Sequence, residues 1–277
     1  MVVNKSKAEA EAEKCSQLLT KRTMLSPSLA LLVFIFTAKS GDGAQIIGGT
    51  EVTPHSLPYM ALVEGRGVNG DQIFCGGTLI HPKWVLSAAH CAGQEISVTL
   101  GVHSRENEGQ GMRFRQFRRV SRQVIHPGYL PQQINDLMLL ELQSPVEETA
   151  YVKSSRINTP PNYPGAGKTC LVAGWGLTGY GALKPSDVLM AANVKVIDLE
   201  TCNSADCYGH SYSINKDVVC AGSHGRNQIG VWKGDSGGPL VCDNMLVGVT
   251  SFGKESCPGV FMYLSQNRVQ WIQQTIK

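Results

Sequence analysis

Nine cysteines are spread along this chain, and no two of them stand in a C-x-x-C pair. Such pairs mark zinc sites and redox centres, so their absence leaves disulfide bonds as the main use for these cysteines. Disulfides form and persist in oxidising compartments such as the secretory pathway. The cysteine pattern therefore predicts a disulfide-stabilised, secreted protein.

Residues 1–43 are predicted to be a leader that contains a secretory signal peptide. Lys21 and Arg22 precede an apolar run, residues 29–36 (LALLVFIF), and a small, polar stretch follows it. This run is too short to span a bilayer as a helix, and it has the form of a signal-peptide core. We therefore favour a removed signal over a membrane anchor. The charged segment before residue 24 is unusual for a signal peptide, which makes Met24 an alternative start.

From Ile46 onward, short β-branched and aromatic runs are separated by Gly, Pro and Asn, a pattern typical of all-β proteins. No alternation of strands with helices occurs, so a sandwich or barrel is favoured over a doubly wound sheet. Apolar residues at helical spacing after residue 268 predict a C-terminal helix. The proline-rich residues 158–168 are the expected linker between two halves. The clearest predicted strands are 76–80, 96–101, 137–142, 169–174, 194–198, 240–251 and 259–264.

Three local motifs carry the residue types that nucleophilic catalysis requires. GDSGGP (234–239) places Ser236 between glycines, SAAHC (87–91) contains His90, and NDLMLL (135–140) opens an apolar strand with Asp136. A serine hydroxyl needs a base to activate it, and the base needs a group that orients it. Each motif alone also fits a structural role, such as a turn or a solvated histidine. A buried aspartate needs a partner, however, and an imidazole N–H is a suitable one, so the combination favours catalysis.

Together these residues resemble the chymotrypsin-like serine proteases, which carry the catalytic residues in the order His, Asp, Ser. IIGG (46–49) is similar to the mature N-terminus of that family, CGGTLI (75–80) to a core strand, and AGWG (173–176) to the start of the second half. The resemblance covers residues 46–277 and is closest to granzymes and mast-cell chymases. It implies an all-β fold of two six-stranded antiparallel β-barrels with a C-terminal α-helix. The barrels would occupy approximately residues 46–157 and 169–264.

The resemblance also implies a role for each residue of the motifs. Ser236 would attack a peptide carbonyl, His90 would transfer the proton, and Asp136 would orient His90. The backbone N–H groups of Gly234 and Ser236 would form the oxyanion hole. The chain would therefore be a serine endopeptidase that acts through an acyl-enzyme.

Activation by proteolysis is a further implication, in which the freed amino group of Ile46 pairs with Asp235. Gln45 precedes Ile46, where trypsin-like precursors normally carry Lys or Arg. If signal cleavage follows Gly43, residues 44–45 remain as a dipeptide like those removed from granzymes and chymases. This junction favours a secreted or granule-stored immune protease over a digestive chymotrypsin-like enzyme, which is kept as an alternative.

By resemblance, a pocket beside Ser236 would hold the substrate residue before the scissile bond. Gly230 occupies the position at which trypsins carry an acid, so nothing there would neutralise a substrate Lys or Arg. Glycines would leave room in this pocket and Val231 would narrow it, which favours aromatic or large aliphatic substrate residues. The predicted substrate-binding residues are Gly230, Val231, Lys233, Ser251, Phe252, Gly253 and Gly259.

The resemblance pairs six of the cysteines: Cys75 with Cys91, Cys170 with Cys242, and Cys202 with Cys220. Trp232 stands where the family's usual partner of Cys257 would be. Cys207 and Cys257 are left to pair with each other or to remain free, and the sequence does not decide between these alternatives.

A basic run alternates with two phenylalanines and contains Arg113, Arg115, Arg118, Arg119 and Arg122. In a strand, the first two arginines would share one face and offer a patch for sulfated glycosaminoglycans or other anionic surfaces. A solvated edge strand that uses charge to prevent aggregation is the alternative.

Charge and motif content exclude several other functions. Of 25 basic and 22 acidic side chains, six and four lie in residues 1–45, which leaves a nearly balanced remainder with no general affinity for nucleic acid. No H-E-x-x-H motif, EF-hand loop or phosphate-binding loop occurs, so no cofactor or metal is expected. The alternative of a different class is a catalytically silent homologue that acts as a heparin-binding or antimicrobial protein. Such homologues usually lack a catalytic residue, whereas all three are present here.

Overall fold

A computed structural model describes residues 46–106, 109–131, 134–209, 214–223, 225 and 229–277. The predicted leader and the dipeptide at 44–45 lie outside these residues. The described residues form two closed antiparallel barrels of six strands each, and this confirms the expected fold. In the part of the chain that is described, no helix is both long enough and apolar enough to cross a membrane.

The first barrel follows a short strand, β1 (Thr50–Glu51). Its strands are β2 (Met60–Arg66), β3 (Gln72–His81), β4 (Trp84–Ser87), β5 (Gln94–Leu100), β6 (Gln116–Ile125) and β7 (Met138–Leu142). They close in the order β2-β3-β4-β7-β6-β5. Along β5, Ile96, Val98 and Leu100 are buried and the residues between them are not, as expected when alternate side chains point into a barrel.

The second barrel consists of β8 (Thr169–Gly174), β9 (Met190–Ile197), β10 (Val218–Ala221), β11 (Pro239–Cys242), β12 (Met245–Phe252) and β13 (Gly259–Tyr263). Its strands pair in the order β9-β10-β13-β12-β11-β8, and β8 pairs again with β9 to close the ring. The proline-rich residues 158–168 join the two barrels and contain no strand.

Residues 46–51 do not lie in the first barrel, where the expected boundary of 46–157 put them. β1 pairs with β9 of the second barrel, with Thr50 opposite Ala191 and Glu51 opposite Met190. The side chain of Ile46 packs into the core of the second barrel. Burial of this apolar side chain holds Ile46 against the second half, ahead of the strands of the first barrel.

The predicted strand at 240–251 is two strands joined by a tight hairpin. Asp243 and Asn244 form the turn between β11 and β12, with φ values of 50° and 59°. Asn and Asp tolerate this left-handed region better than other residues with a side chain, and two such residues match the twist of a two-residue hairpin.

Two α-helices are present among the described residues, α1 (Leu199–Cys202) and α2 (Gln266–Thr275). The second confirms the predicted C-terminal helix. Its residues Val269 and Ile272 are buried and dock it on the body of the protein.

The arginine-rich segment is not an edge strand, so that alternative is wrong. β6 pairs with both β5 and β7 inside the closed barrel, which leaves it no free edge. The expectation that Arg113 and Arg115 share a strand face is also wrong, because Arg113 lies in a 3-10 helix, Gln110–Phe114, and β6 begins at Gln116.

Four disulfides lie among the described residues, and each joins cysteines of the same half. Cys75–Cys91 lies in the first half. Cys170–Cys242, Cys202–Cys220 and Cys207–Cys257 lie in the second. The last of these answers the question that the sequence left open.

Candidate active site

His90 and Asp136 meet because the strands beside them are neighbours in the first barrel. β4 and β7 are antiparallel and pair Ser87 with Met138. His90 follows β4 in a 3-10 helix, Ala89–Cys91, and Asp136 shortly precedes β7. Strand pairing therefore brings two side chains together that are far apart in the sequence.

The imidazole of His90 and the carboxylate of Asp136 form a close hydrogen-bonded pair. His90 Nδ1 lies 2.7 Å from Asp136 Oδ2, and the backbone N–H of His90 donates to Asp136 Oδ1 at 2.9 Å. The hydroxyl of Ser251 donates a third hydrogen bond, to Oδ2, at 2.5 Å. Asp136 is fully buried, whereas the side chain of His90 is 32% exposed.

These contacts keep the buried Asp136 carboxylate ionised. Burial alone would raise the pKa of Asp136, but the hydrogen bond and charge of His90 and the hydroxyl of Ser251 outweigh burial and lower the pKa below its usual value. A charged Asp136 accepts the Nδ1–H of His90 and thereby leaves Nε2 free to act as a base.

Ser236 lies on a tight loop that is held by contacts from both barrels. Gly234 and Gly237 on either side have φ values of 96° and 80°, which favour glycine. A Cβ on Gly237 would lie 2.2 Å from Ser87 Oγ, so only glycine fits against the first barrel there. The N–H of Gly76, in β3, donates to the carbonyl of Ser236 at 2.8 Å.

The Cys75–Cys91 disulfide lies between this loop and His90. A ring nitrogen of His90 and the two sulfur atoms are within 4.8 Å of one another. Cys91 Sγ is in turn 3.9 Å from the carbonyl oxygen of Ser236. Among the described contacts no hydrogen bond joins Ser236 Oγ to His90, and such bonds often tighten only when substrate binds.

The backbone N–H groups of Gly234 and Ser236 have no hydrogen-bond partner in the described part of the chain. The neighbouring N–H groups are used: that of Asp235 donates to Trp232 O, and that of Gly237 donates to Thr250 O. Two unpaired donors on one tight loop, one on each side of Asp235 in the sequence, suit the stabilisation of a developing negative charge.

Asp235 is fully buried against glycines of the second half. A Cβ on Gly174 would lie 2.2 Å from Asp235 Oδ1, and one on Gly176 would lie within 2.7 Å of three carboxyl atoms. The carboxylate accepts hydrogen bonds from the N–H groups of Gly176, at 2.8 Å, and Trp232, at 2.9 Å. Burial raises the pKa of Asp235 to about 7, although these two hydrogen bonds act in the opposite direction.

Ile46, the predicted partner of Asp235, enters the same barrel. Its side chain is fully buried, and Ile47 forms a β-bridge with Gly230. Among the described residues no hydrogen bond joins Ile46 to the Asp235 carboxylate. Residue 45, which precedes Ile46, lies outside the described residues.

A pocket of about 210 Å³ opens beside Ser236. The lining residues described are Val231, Trp232, Lys233, Ser236, Thr250, Ser251, Phe252 and Gly253. Lys233 is the one charged side chain among them, and the described lining contains no carboxylate. A substrate Lys or Arg would therefore find no countercharge in these walls.

Two residues predicted to form this pocket are not among the described lining residues. Gly230 donates its N–H to the carbonyl of Ile47 at 3.0 Å. Gly259 lies against Val231, since a Cβ there would be 2.7 Å from Val231 Cγ2. Glycine at residue 259 therefore makes room for the Val231 side chain.

Two residues of the pocket wall and one role of Ser251 were not predicted from the sequence. Trp232 and Thr250 line the pocket, and both directly adjoin residues that had been assigned to it. Ser251 was predicted only as a wall residue, but its hydroxyl also binds Asp136. No local signal links residues so far apart in sequence.

The pocket wall around Phe252 is anchored to the turn at residues 204–208. The hydroxyl of Tyr208 donates to Pro258 O at 2.7 Å and accepts the N–H of Lys254 at 3.0 Å. The Cys207–Cys257 disulfide joins the same two segments. These links hold the pocket wall in place, although Trp232 stands where the family's usual disulfide partner of Cys257 would be.

The site offers little to a metal ion. The group of possible metal ligands found among the described residues is Cys75, His90 and Cys91. Both sulfur atoms belong to a disulfide and provide no thiolate, so this donor set does not fit a metal.

Comparisons with known proteins show which family the chain resembles in sequence and fold. A family model described as trypsin matches residues 46–272. Human kallikrein-4 is 39% identical over 244 residues, which cover 86% of this chain and 90% of the relative. Human granzyme H is 37% identical over 259 residues, which cover 91% of this chain and 99% of the relative. A solved structure described as "Structure of GrC" superposes with a TM-score of 0.75 at 34% identity and covers 83% of this chain and 99% of its own.

Proposed function

This chain belongs to the trypsin family of serine proteases, and from that membership we propose that it is a serine endopeptidase with His90, Asp136 and Ser236 as its catalytic residues. The observation that carries the proposal is the buried, ionised Asp136 hydrogen-bonded to His90 Nδ1, close to the glycine loop of Ser236. Family membership alone gives a hydrolase, whereas this arrangement supports a working catalytic centre.

The proposed reaction passes through an acyl-enzyme. His90 Nε2 takes the proton of Ser236 Oγ as this oxygen attacks the substrate carbonyl, and it later gives the proton to the leaving amine. Asp136 holds the ring orientation and stabilises the charged imidazole. The free N–H groups of Gly234 and Ser236 stabilise the oxyanion, and one such donor contributes about 2.7–4 kcal/mol in a comparable enzyme.

We propose that cleavage after Gln45 activates the enzyme. The new amino group of Ile46 would supply the cation that the buried Asp235 carboxylate lacks among its described partners. Asp235 lies between the two N–H donors of Gly234 and Ser236 in the sequence. Formation of the ion pair would thereby order the oxyanion hole.

The proposed substrate preference is an aromatic or large aliphatic residue before the scissile bond. The described pocket lining combines Val231, Trp232 and Phe252 with a glycine and contains no carboxylate. Apolar walls favour apolar side chains through the burial of surface. Lys233 is exposed at the pocket and would favour acidic residues elsewhere in the substrate.

The test is cleavage of a diverse peptide mixture by the chain that begins at Ile46, with the cut sites mapped by mass spectrometry. Ser236→Ala is the matched control, and its cuts define the background. Cuts after Phe, Tyr, Leu or Met that depend on Ser236 support both the mechanism and the pocket. Cuts after basic residues would retain the mechanism and overturn the substrate preference. A folded chain that cuts nothing would instead favour the silent binding homologue.

A second experiment tests the wall residue that narrows the pocket. Val231→Ala is expected to shift the preference from Leu toward Phe and Tyr, because removal of two methyl groups enlarges the pocket. An unchanged preference would place Val231 outside the substrate contact.

We propose that the protein is secreted or stored in secretory granules. The four disulfides support an oxidising compartment. Residues 44–45 before Ile46 support the granule type of activation described above. Immunolocalisation of the tagged full chain in a granule-forming cell tests this, and a cytosolic signal would refute it.

Sulfated glycosaminoglycans are the proposed additional partner, through a smaller surface than the sequence suggested. Arg119 and Arg122 are exposed on β6, whereas Arg118 donates hydrogen bonds to Pro145 O. Arg122 also pairs with Glu141 at 2.8 Å, which reduces its free charge. Arg119→Ala should elute from heparin at lower salt than the exposed-arginine control Arg156→Ala. Equal elution of the two variants would refute the patch.

A further inference from the structure

The buried guanidinium of Arg268 takes no part in the proposed reaction. Arg268 lies in α2 and is only 4% exposed. A charged side chain is costly to bury unless hydrogen bonds replace the water that it loses. The contacts of this residue therefore indicate what its burial achieves.

The guanidinium binds groups from both halves of the molecule. Nη1 donates to the carbonyl oxygens of Asp217, at 2.5 Å, and Tyr263, at 2.7 Å, both in the second half. Nε and Nη2 donate to Asn135 Oδ1 in the first half, at 3.0 and 2.8 Å. All of these acceptors are neutral. The described hydrogen bonds therefore fix the orientation of the guanidinium and do not neutralise its charge.

Asn135 immediately precedes Asp136 and has a constrained backbone. Its φ value is 49°, in the left-handed region. Its side-chain amide donates to Gly128 O at 3.1 Å, opposite the oxygen that Arg268 binds. Its carbonyl accepts the N–H of Leu137 at 2.7 Å and thereby closes a turn around Asp136.

We infer that Arg268 is a positioning residue for Asp136: through Asn135 it fixes the turn that presents the Asp136 carboxylate to His90. The inference rests on the proposed function, since it assigns a role within the same catalytic centre. Through this contact, the C-terminal helix α2 helps to position Asp136, which belongs to the first barrel.

Contacts from both halves of the molecule hold Asp136 in place. Ser251, in β12, binds the carboxylate itself, while Arg268, in α2, binds the residue before it. The ring of His126 packs edge-on against Trp271 of α2 at 4.8 Å. His126 and Asp217 are the described titratable residues whose charges interact with Arg268.

The experiment compares Arg268→Gln with the unmodified chain that begins at Ile46. We expect kcat to fall about 10- to 100-fold, because a small displacement of a catalytic group far from the mutation costs this much, with little change in KM. The low-field proton NMR signal of the His90–Asp136 hydrogen bond should shift or disappear. Val269→Ala is the matched control, because it removes packing from the adjacent buried position of α2 without touching Asn135.

Two further variants keep the inference testable if Arg268→Gln folds poorly. Asn135→Gly removes the same contact from the other side, and glycine adopts the positive φ there without strain. Its effect on kcat should match that of Arg268→Gln, and the double variant should lose no more than either single one. Arg268→Lys keeps the charge but not the two-pronged contact, so it should behave like Arg268→Gln.

Three results would overturn the inference: an unchanged kcat and NMR signal in Arg268→Gln, an equal loss in Val269→Ala, or full activity in Arg268→Lys. If the unmodified chain shows no cleavage that depends on Ser236, the proposed function fails instead. The NMR signal still tests the positioning of Asp136 in that case, since it requires no turnover.

Discussion

Each half of the molecule buries one aspartate completely, and the two carboxyl groups differ in protonation. The pKa of Asp136 lies below its usual value, because the contacts of His90 and Ser251 outweigh the effect of burial. Burial raises the pKa of Asp235 to about 7, and the N–H groups of Trp232 and Gly176 only partly oppose it. The charge of a buried carboxyl group therefore depends on its hydrogen-bonding and charged partners as well as on its burial.

The difference suits two different tasks. The partners of Asp136 are present in the described structure and lower its pKa, so its negative charge is available to orient His90. Asp235 accepts hydrogen bonds from two backbone N–H groups and has no cationic partner among the described residues. A cation is therefore needed to stabilise its negative charge. Under the proposed function, the charge of Asp136 would serve catalysis and the conditional charge of Asp235 would serve as a switch.

The largest expected effect comes from Asp136→Asn. An amide in this place removes the negative charge and favours the wrong tautomer of His90, so kcat should fall about 10⁴-fold, the loss known for the equivalent change in a chymotrypsin-like protease. Steady-state kinetics and a melting curve measure activity and folding together. Activity within tenfold of the unmodified chain would show that the charge of Asp136 is dispensable.

A pH effect on stability should distinguish Asp235 before and after cleavage. In the chain that retains Gln45, the folded pKa of Asp235, about 7, exceeds its unfolded value. The stabilisation is therefore fully present below the unfolded pKa and is lost as pH rises through 7, by up to about 4 kcal/mol. Denaturant unfolding at several pH values measures this loss.

In the chain that begins at Ile46, the paired amino group should cancel most of that decline up to about pH 8, the ordinary pKa of a free α-amino group. Above that pH the stability should fall as the pH approaches the raised pKa of the paired amine. Asp235→Asn is the control, since it should flatten the slope of the uncleaved chain. Identical slopes in both chains would contradict the proposed ion pair.

Asp235→Asn should also lower the activity of the chain that begins at Ile46, by about 10²- to 10³-fold, the loss expected when one oxyanion donor is misplaced. This loss is smaller than that of Asp136→Asn because the catalytic residues themselves remain. Turnover of a peptide substrate measures it. A loss as large as that of Asp136→Asn would show that the two carboxylates are not separate in function.

Gly176→Ala should destabilise the fold by about 1–3 kcal/mol, the usual cost of overpacking. The new Cβ would lie within 2.7 Å of the Asp235 carboxyl atoms, which would have to move. Gly179→Ala is the matched control, because its Cβ would have no neighbour within 4 Å. Equal melting temperatures for the two variants would contradict the tight fit around Asp235.

The smallest expected effect is that of Ser251→Ala. Loss of one hydrogen bond to a charged group should reduce kcat about tenfold, because Asp136 keeps its two bonds to His90. The pKa of Asp136 should rise, since one of the groups that lower it is gone. A pH profile of kcat tests this, and an unchanged profile would limit Ser251 to the pocket wall.

Much of this architecture was predictable from the sequence, because the resemblance to chymotrypsin-like proteases implied two barrels. The comparisons confirm this fold. The predicted strands omitted β2, β4, β6 and β10. The four residues of β4 and of β10 are all buried, and a strand that is buried on both faces shows no alternation. The motifs predicted which residues to examine at the site. The contact between Ser251 and Asp136 spans 115 residues and has no local signal. The same holds for Arg268 and Asn135, which strand pairing and helix docking bring together.

The location of the four disulfides has a consequence for the integrity of the polypeptide. Each bridge among the described residues joins cysteines of one half, so in the part of the chain that the structure describes residues 158–168 are the covalent connection between the halves. A single nick there would yield two fragments that separate on a denaturing gel without any reducing agent. In solution those fragments would be held together by β1 on β9, by Gly76 on Ser236 and by Ser251 on Asp136. The assembled catalytic centre would then be a property of a non-covalent heterodimer, and its activity would fall on dilution.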